Sequence, residues 1–262
     1  MRAALLCLAA IGCGAPLEPT APRQATTIHA SSLAPDQPLG WLGLVPSPEH
    51  LETTLAFVPV HSEYALVVPI GEEPELPAEI RAIGHRGTVE RFTRGWIEHL
   101  PYGCDDRPVA MTTFDGPRLA PGVAWILPPA PPADWRPAPL DIATTSAAPA
   151  RRAYAIGPLT VELVRTAPLR GRLTLAHRGR VVRTEPFERE LMGGADPSPL
   201  DLAAGGPAIP EPVAAWSIVG DAILLVLAVP GYEGVTLRPW LVQPSEVRTL
   251  EAMEQYLYLC AF

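Results

Sequence analysis

The chain has 262 residues, 33 of them proline, and a formal net charge of −8 at pH 7. Its length suits one large or two small domains, while the proline content makes long helices scarce. All 20 basic residues are arginine, which excludes a lysine nucleophile and a P-loop, and the net charge argues against binding of nucleic acid.

The first residues are typical of a secretion signal. A single basic residue, Arg2, precedes an apolar run over residues 3–11 that is too short to span a bilayer stably. The stretch Ala10-Ile11-Gly12-Cys13 that ends this run resembles the lipobox of bacterial lipoproteins.

This resemblance implies that residues 1–12 are a signal peptide and that Cys13 is acylated, so that the protein is anchored by lipid in the bacterial cell envelope. Gly14 implies the outer membrane, with the body facing the periplasm or the cell surface. The alternative is an ordinary signal peptide that is cut near Gly14 or Pro16. Residues 13–48 are rich in Pro, Ala, Ser and Thr, a composition that predicts an extended tether.

Residues 49–134 are expected to form a β-rich N-terminal domain. Runs of β-branched and aromatic residues predict strands at 53–60, 63–70, 109–114 and 122–128, the first two forming a hairpin. Residues 74–84 suggest one or two helical turns, and the pattern over 87–100 fits a helix face as well as a strand.

Residues 135–152 are dense in proline and then rich in Ala, Ser and Thr, which predicts a connector between two halves. The C-terminal half, 153–262, is expected to be an antiparallel β domain, with strands at 159–165, 171–179, 180–188, 222–231 and 235–243. The predicted fold class is therefore mostly β, an antiparallel β-sandwich architecture of two β-rich halves with little helix.

The chain ends on YLYLCAF, in which both faces of a strand would be apolar, and this pattern predicts a central strand. With Cys7 removed and Cys13 acylated, Cys104 and Cys260 remain, and in an oxidising compartment they are expected to form a disulfide. The alternative is two free, buried thiols that are too far apart to bond.

The most polar cluster in the sequence is GCDDRP at 103–108. Asp105 and Asp106, with Asp115 as a third member, are candidates for a divalent cation site or for acid/base catalysis. The alternative is a solvated turn in which the carboxylates cap backbone amides. The six histidines form no metal-binding motif, and no cofactor is predicted.

The turn VPGYEG at 229–234 holds Tyr232 at its tip, and Trp240 follows in the next predicted strand. Together they are candidates for an exposed aromatic binding surface, or else they pack inside the fold. We expect a cell-envelope lipoprotein, a non-catalytic binding or structural module whose partners are the membrane and an envelope protein or polysaccharide. The alternatives are an envelope hydrolase that uses the three aspartates and a carbohydrate-binding β-sandwich.

Overall fold

A computed structural model describes most of the chain beyond the N-terminal region. The described residues are 33, 38–45, 66–69, 76–101, 108–189, 198–205, 209–231 and 234–258. Among them, no helix has the length and apolar character needed to cross a membrane.

Seventeen strands are found in the described part of the chain. The first six are β1 Trp41–Val45, β2 Leu66–Pro69, β3 Glu79–Gly84, β4 Val89–Pro101, β5 Pro108–Asp115 and β6 Gly122–Ile126. The next six are β7 Ala138–Pro139, β8 Ala143–Ala148, β9 Arg151–Ile156, β10 Leu159–Ala167, β11 Arg170–His177 and β12 Arg180–Glu188. The last five are β13 Glu211–Ser217, β14 Ile223–Gly231, β15 Gly234–Val242, β16 Val247–Thr249 and β17 Gln255–Tyr258, with a 3₁₀ turn at Glu251–Met253.

The fold is mostly antiparallel β, as the sequence predicts, and it has three parts. Strands β1-β2-β5-β4-β3-β6 close into a small barrel. Strands β16-β15-β14-β13-β7 form a second sheet, here called the middle sheet, and β17 also pairs with β15. Strands β12-β11-β10-β9-β8 form a third, the outer sheet.

The middle sheet is buried on both faces. Leu224 and Val226 of β14 pack in one core with residues of the barrel, such as Trp125. The intervening Leu225 and Leu227 pack in a second core with the outer sheet. Because side chains alternate along a strand, burial of both faces explains the nearly continuous apolar run of β14.

A third core fills the barrel itself. Ile80 and Ala82 of β3, Phe92 of β4 and Ile126 of β6 all lie in this inner cluster, and each is at most 5% exposed. Their sequence neighbours on β3 and β4 therefore face outward, and this places the site described below.

Three predicted elements differ from the structure in the N-terminal half and at the connector. Residues 41–45, expected in the tether, form strand β1 of the barrel, where Leu42 and Leu44 are at most 4% exposed. Residues 79–84, expected in helical turns, form strand β3, because Ile80 and Ala82 are needed on one face to fill the barrel. The stretch 135–152 holds strands β7 and β8, and Trp135 is 5% exposed, so these residues belong to the body. The predicted strand at 53–60 lies outside the described residues.

The C-terminal strand also differs from the prediction. Within the described residues, β17 pairs with β15 alone, so the structure shows it with one neighbour and not as a central strand. Its faces are unlike each other, since Leu257 is 2% exposed and Tyr256 is 46% exposed. Strand β16 and the short 3₁₀ turn precede β17 in the chain.

Candidate functional site

Most of the site residues predicted from the sequence lie outside the described part of the chain: Cys13, Cys104, Asp105, Asp106, Tyr232 and Cys260. The acylation and the disulfide therefore stay predictions. Asp115 is described, and it is an exposed residue at the end of β5. No group of three or more His, Cys, Asp or Glu side chains suited to a metal ion occurs among the described residues.

Trp240 is not part of an exposed aromatic surface. Its side chain is 1% exposed and belongs to the core between the middle and outer sheets. The guanidinium carbon of Arg183, on the outer sheet, lies 4.6 Å from the centre of its ring. This cation–π contact joins the two sheets, so Trp240 stabilises the fold.

Among the described residues, a groove on the outer surface of the barrel forms a concave site. It encloses about 470 Å³, within the range usual for ligand sites. We call it the arginine groove, and its lining residues are Pro77, Glu79, Ile80, Arg81, Arg91, Phe92, Thr93, Leu127, Pro128 and Pro129.

Two arginines lie side by side on one wall of this groove. Arg81 of β3 and Arg91 of β4 are directly opposite in the antiparallel register, and both are exposed. Each is flanked by residues that point into the barrel, Ala82 beside Arg81 and Phe92 beside Arg91. The alternation of the two strands therefore fixes both guanidinium groups on the outer face.

The hydrogen-bond pattern brings the two side chains close together. The backbone N–H of Arg94 donates to the carbonyl of Ala78 at 2.7 Å, which makes 78 and 94 a hydrogen-bonded pair. Such pairs alternate with non-hydrogen-bonded ones, so Arg81 and Arg91, three positions further along, form a non-hydrogen-bonded pair. Directly opposite Cβ atoms lie about 4.5–5.5 Å apart, and those of non-hydrogen-bonded pairs are at the closer end.

The segment after β6 forms the other wall. The N–H of Leu127 donates to the carbonyl of Arg81 at 2.8 Å, which continues the β3–β6 pairing past Ile126. Pro128 and Pro129 follow, and because proline has no N–H, they cannot extend the ladder. The strand therefore ends in a stiff apolar edge beside Arg81.

Among the described residues, no carboxylate forms an ion pair with either of the two arginines. Seven ion pairs are found among the described residues, and neither Arg81 nor Arg91 takes part in any of them. Glu79 and Thr93 form the neighbouring register pair on the same face. On this face, one register pair thus consists of two cations, and the next pair on the same face consists of a carboxylate and a hydroxyl.

A second polar cluster lies between the middle and outer sheets and is fully paired. Tyr154 donates a 2.9 Å hydrogen bond to Glu211 and accepts one from Arg152 at 2.5 Å. Arg152 also donates to the carbonyls of Leu202 and Ala203 at 3.2 and 3.0 Å. Burial, together with the Glu211 carboxylate, raises the pKa of Tyr154 above its ordinary range. Since its groups satisfy one another, this cluster stabilises the fold.

His85 lies in the turn between β3 and β4, at the end of the barrel. Burial and then the nearby Arg86 charge lower the pKa of His85. Its ring lies against Gly122, where an added Cβ would be 3.2 Å from Nδ1. The ring therefore packs over a glycine and does not line the arginine groove.

Comparisons of the chain with protein-family models, with curated proteins and with solved structures found no match. The arginine groove was not predicted from the sequence, because a helical assignment at 74–84 separates Arg81 from Arg91. The available signal was the run Gly84-His85-Arg86-Gly87, which is typical of a turn. A hairpin about this turn places Arg81 opposite Arg91.

Proposed function

We propose that this protein is a non-catalytic binding module of the bacterial cell envelope, anchored through an acylated Cys13. Its binding surface is the arginine groove, and its ligand is an envelope component, a polysaccharide or a protein. One observation carries the proposal: Arg81 and Arg91 are directly opposed, and neither forms an ion pair with another described residue. Like charges directly opposite in a sheet are destabilising, so a ligand that approached both would relieve a strain that is built into the barrel.

The surroundings of the two arginines also suit binding. The groove is concave and has a stiff proline wall, so it is formed before a ligand arrives. Its floor rests on Ile80 and Phe92, which are 5% and 2% exposed and pack in the barrel core. A site on packed strands keeps its geometry better than one on loops.

The binding surface is tested by photo-crosslinking in intact cells. A photoreactive amino acid replaces Thr93, inside the groove, or Thr160, an exposed residue on β10 of the outer sheet. We expect an adduct of defined mass from position 93 that is absent at position 160. Equal adducts at both positions, or none at position 93, would contradict the groove as the binding surface.

The anchor is tested separately. A labelled fatty acid should be incorporated into the wild-type chain and not into Cys13→Ala, and detergent should be needed to extract the labelled protein. Equal labelling of both chains would contradict acylation at Cys13.

A further inference from the structure

We propose that the ligand of the arginine groove is an acidic sugar, with its carboxylate or phosphate group bridging Arg81 and Arg91 and its hydroxyls meeting Glu79 and Thr93. This inference rests on the proposed function, since it names the chemistry of the ligand for the same surface.

The opposed charges are unusual for this chain. In every other register pair of the described strands, an arginine faces a residue of another type, for example Glu188 opposite Arg170. Arg81 and Arg91 are the exception. A single anion between the two guanidinium groups would be attracted by both, and it would convert their repulsion into two favourable contacts.

The bridging group is expected to carry at least two oxygens. A guanidinium presents its N–H donors as a planar fork that fits the oxygens of a carboxylate or a phosphate, and two guanidinium groups can share such an anion. A monatomic anion would satisfy few of these donors. Arg81 and Arg91 therefore select for oxyanions.

The remaining groups of the groove indicate a sugar. Glu79 and Thr93 form the next register pair on the same face, two positions along the strands from the arginines, so they can meet groups that are attached several ångströms from the anion. A carboxylate only accepts hydrogen bonds, while a threonine hydroxyl both donates and accepts. Neighbouring hydroxyl groups of a sugar can donate hydrogen bonds to Glu79 and exchange hydrogen bonds with Thr93. Glu79 repels a second anion, so one acidic group with hydroxyls beside it fits better than a polyanion.

Isothermal titration calorimetry on the full acylated chain in detergent tests the inference. The probes are galacturonic acid, its methyl ester, which lacks the charge, glucose 6-phosphate, glucose and inorganic phosphate. We expect at least about tenfold weaker binding of each neutral sugar than of its acidic counterpart, since charge-assisted hydrogen bonds are lost. We also expect inorganic phosphate to bind more weakly than glucose 6-phosphate, because it lacks the hydroxyls.

Variants locate the binding. Arg81→Gln and Arg91→Gln should each weaken binding of the acidic sugar at least about tenfold. Arg172→Gln is the matched control, because Arg172 is an exposed strand arginine of the outer sheet that faces Val164 and Pro186. It should leave the affinity unchanged.

Different failures have different meanings. If the methyl ester binds as well as the acid, or if Arg172→Gln is as harmful as Arg81→Gln, the acidic-sugar inference is overturned. It is overturned also if inorganic phosphate binds as tightly as glucose 6-phosphate. In each case, a specific crosslink from position 93 in cells would still support the groove as the binding surface. If no crosslink forms from position 93, both the proposed function and the acidic-sugar inference are contradicted.

Discussion

The indole Nε1 of Trp216 donates a 2.9 Å hydrogen bond to the backbone carbonyl of Gly84, a residue 132 positions away in the chain. Trp216 lies on β13 of the middle sheet, and Gly84 ends strand β3 of the barrel. The ring of Trp216 is also 6.0 Å from that of Trp125 on β6. The barrel and the middle sheet are thus joined by a shared core and by a buried hydrogen bond.

The first prediction concerns this bond. Trp216→Phe should lower the free energy of unfolding by about 1–3 kcal/mol, because the buried carbonyl of Gly84 loses its partner, with a further loss from the smaller ring. Urea unfolding at 25 °C measures the change. Val181→Ala is the control, since Val181 is 58% exposed, and it should change the stability by less than about 0.5 kcal/mol.

The same measurement tests the shared core. Because the apolar cluster that contains Trp216 includes residues of both the barrel and the middle sheet, the wild-type protein should unfold in a single transition. Two well-separated transitions, with Trp216→Phe shifting only one of them, would show that the barrel and the middle sheet are independently stable.

The second prediction concerns Gly205, beside the Arg152–Tyr154–Glu211 cluster. Its φ is +68°, and an added Cβ would lie 2.7 Å from Glu211 Oε1 and 2.8 Å from Arg152 Nη2. Gly205→Ala should therefore cost about 1–2 kcal/mol for the backbone conformation and a further ~1–3 kcal/mol for disturbing the ion pair.

Gly179→Ala is the matched control for Gly205→Ala. Gly179 has a φ of +81°, and nothing lies within 4 Å of its added Cβ, so only the backbone penalty applies. Thermal or urea unfolding of both variants separates the two contributions. Equal losses of stability would mean that the Arg152–Tyr154–Glu211 cluster accommodates the methyl group added at Gly205 without a further loss of stability.

The strands of the outer sheet could be predicted from the sequence because their environment is simple. Strands β10 and β11 have one buried face, so their residues alternate, as Leu173 and Leu175 do with Arg172 and Thr174. Arg178 and Gly179 both have positive φ, as a tight two-residue hairpin turn requires. Local chemistry was sufficient for these elements.

The barrel and the site could not be predicted in the same way. Residues 74–84 contain good helix formers, but the need to bury Ile80 and Ala82 on one face overrides local propensity. Once that strand is misassigned, Arg81 and Arg91 have no spatial relation. Trp240 was ambiguous for a similar reason, since only the packing of the outer sheet decides that it is buried.

The third prediction is a loss of stability in alkali that depends on Tyr154. Burial and the Glu211 carboxylate raise the pKa of Tyr154, whereas in the unfolded chain the phenol ionises near its ordinary value of about 10. The unfolded state therefore loses its proton first. The contribution of Tyr154 is fully present below about pH 10 and is lost as the pH rises above that value toward the folded-state pKa.

Urea unfolding at pH values from about 8 to 11 measures this dependence. Tyr154→Phe should flatten the decline above pH ~10, because phenylalanine has no proton to lose. Tyr256→Phe is the control, since Tyr256 is 46% exposed, and it should leave most of the decline in place. If the decline is the same in Tyr154→Phe as in the wild type, another group causes it.

The last prediction separates binding from stability at the arginine groove. Because Arg81 and Arg91 repel each other in the free protein, Arg81→Gln should leave the stability unchanged or raise it by up to about 1 kcal/mol, although it is expected to weaken binding at least about tenfold. Residues kept for function often carry such a penalty. Arg172→Gln, which relieves no opposed charge, should change the stability by less than about 0.5 kcal/mol.

Urea unfolding without added ligand is the appropriate measurement, since a bound anion would stabilise the wild type and hide the repulsion. Adding galacturonic acid should then raise the midpoint of the wild type and not that of Arg81→Gln. If Arg81→Gln lowers the stability of the free protein by more than about 1 kcal/mol, the side chain of Arg81 supports the fold through its own packing. Arg81 and Arg91 would then be opposed because they stabilise the barrel, and their opposition would no longer support the proposed binding function.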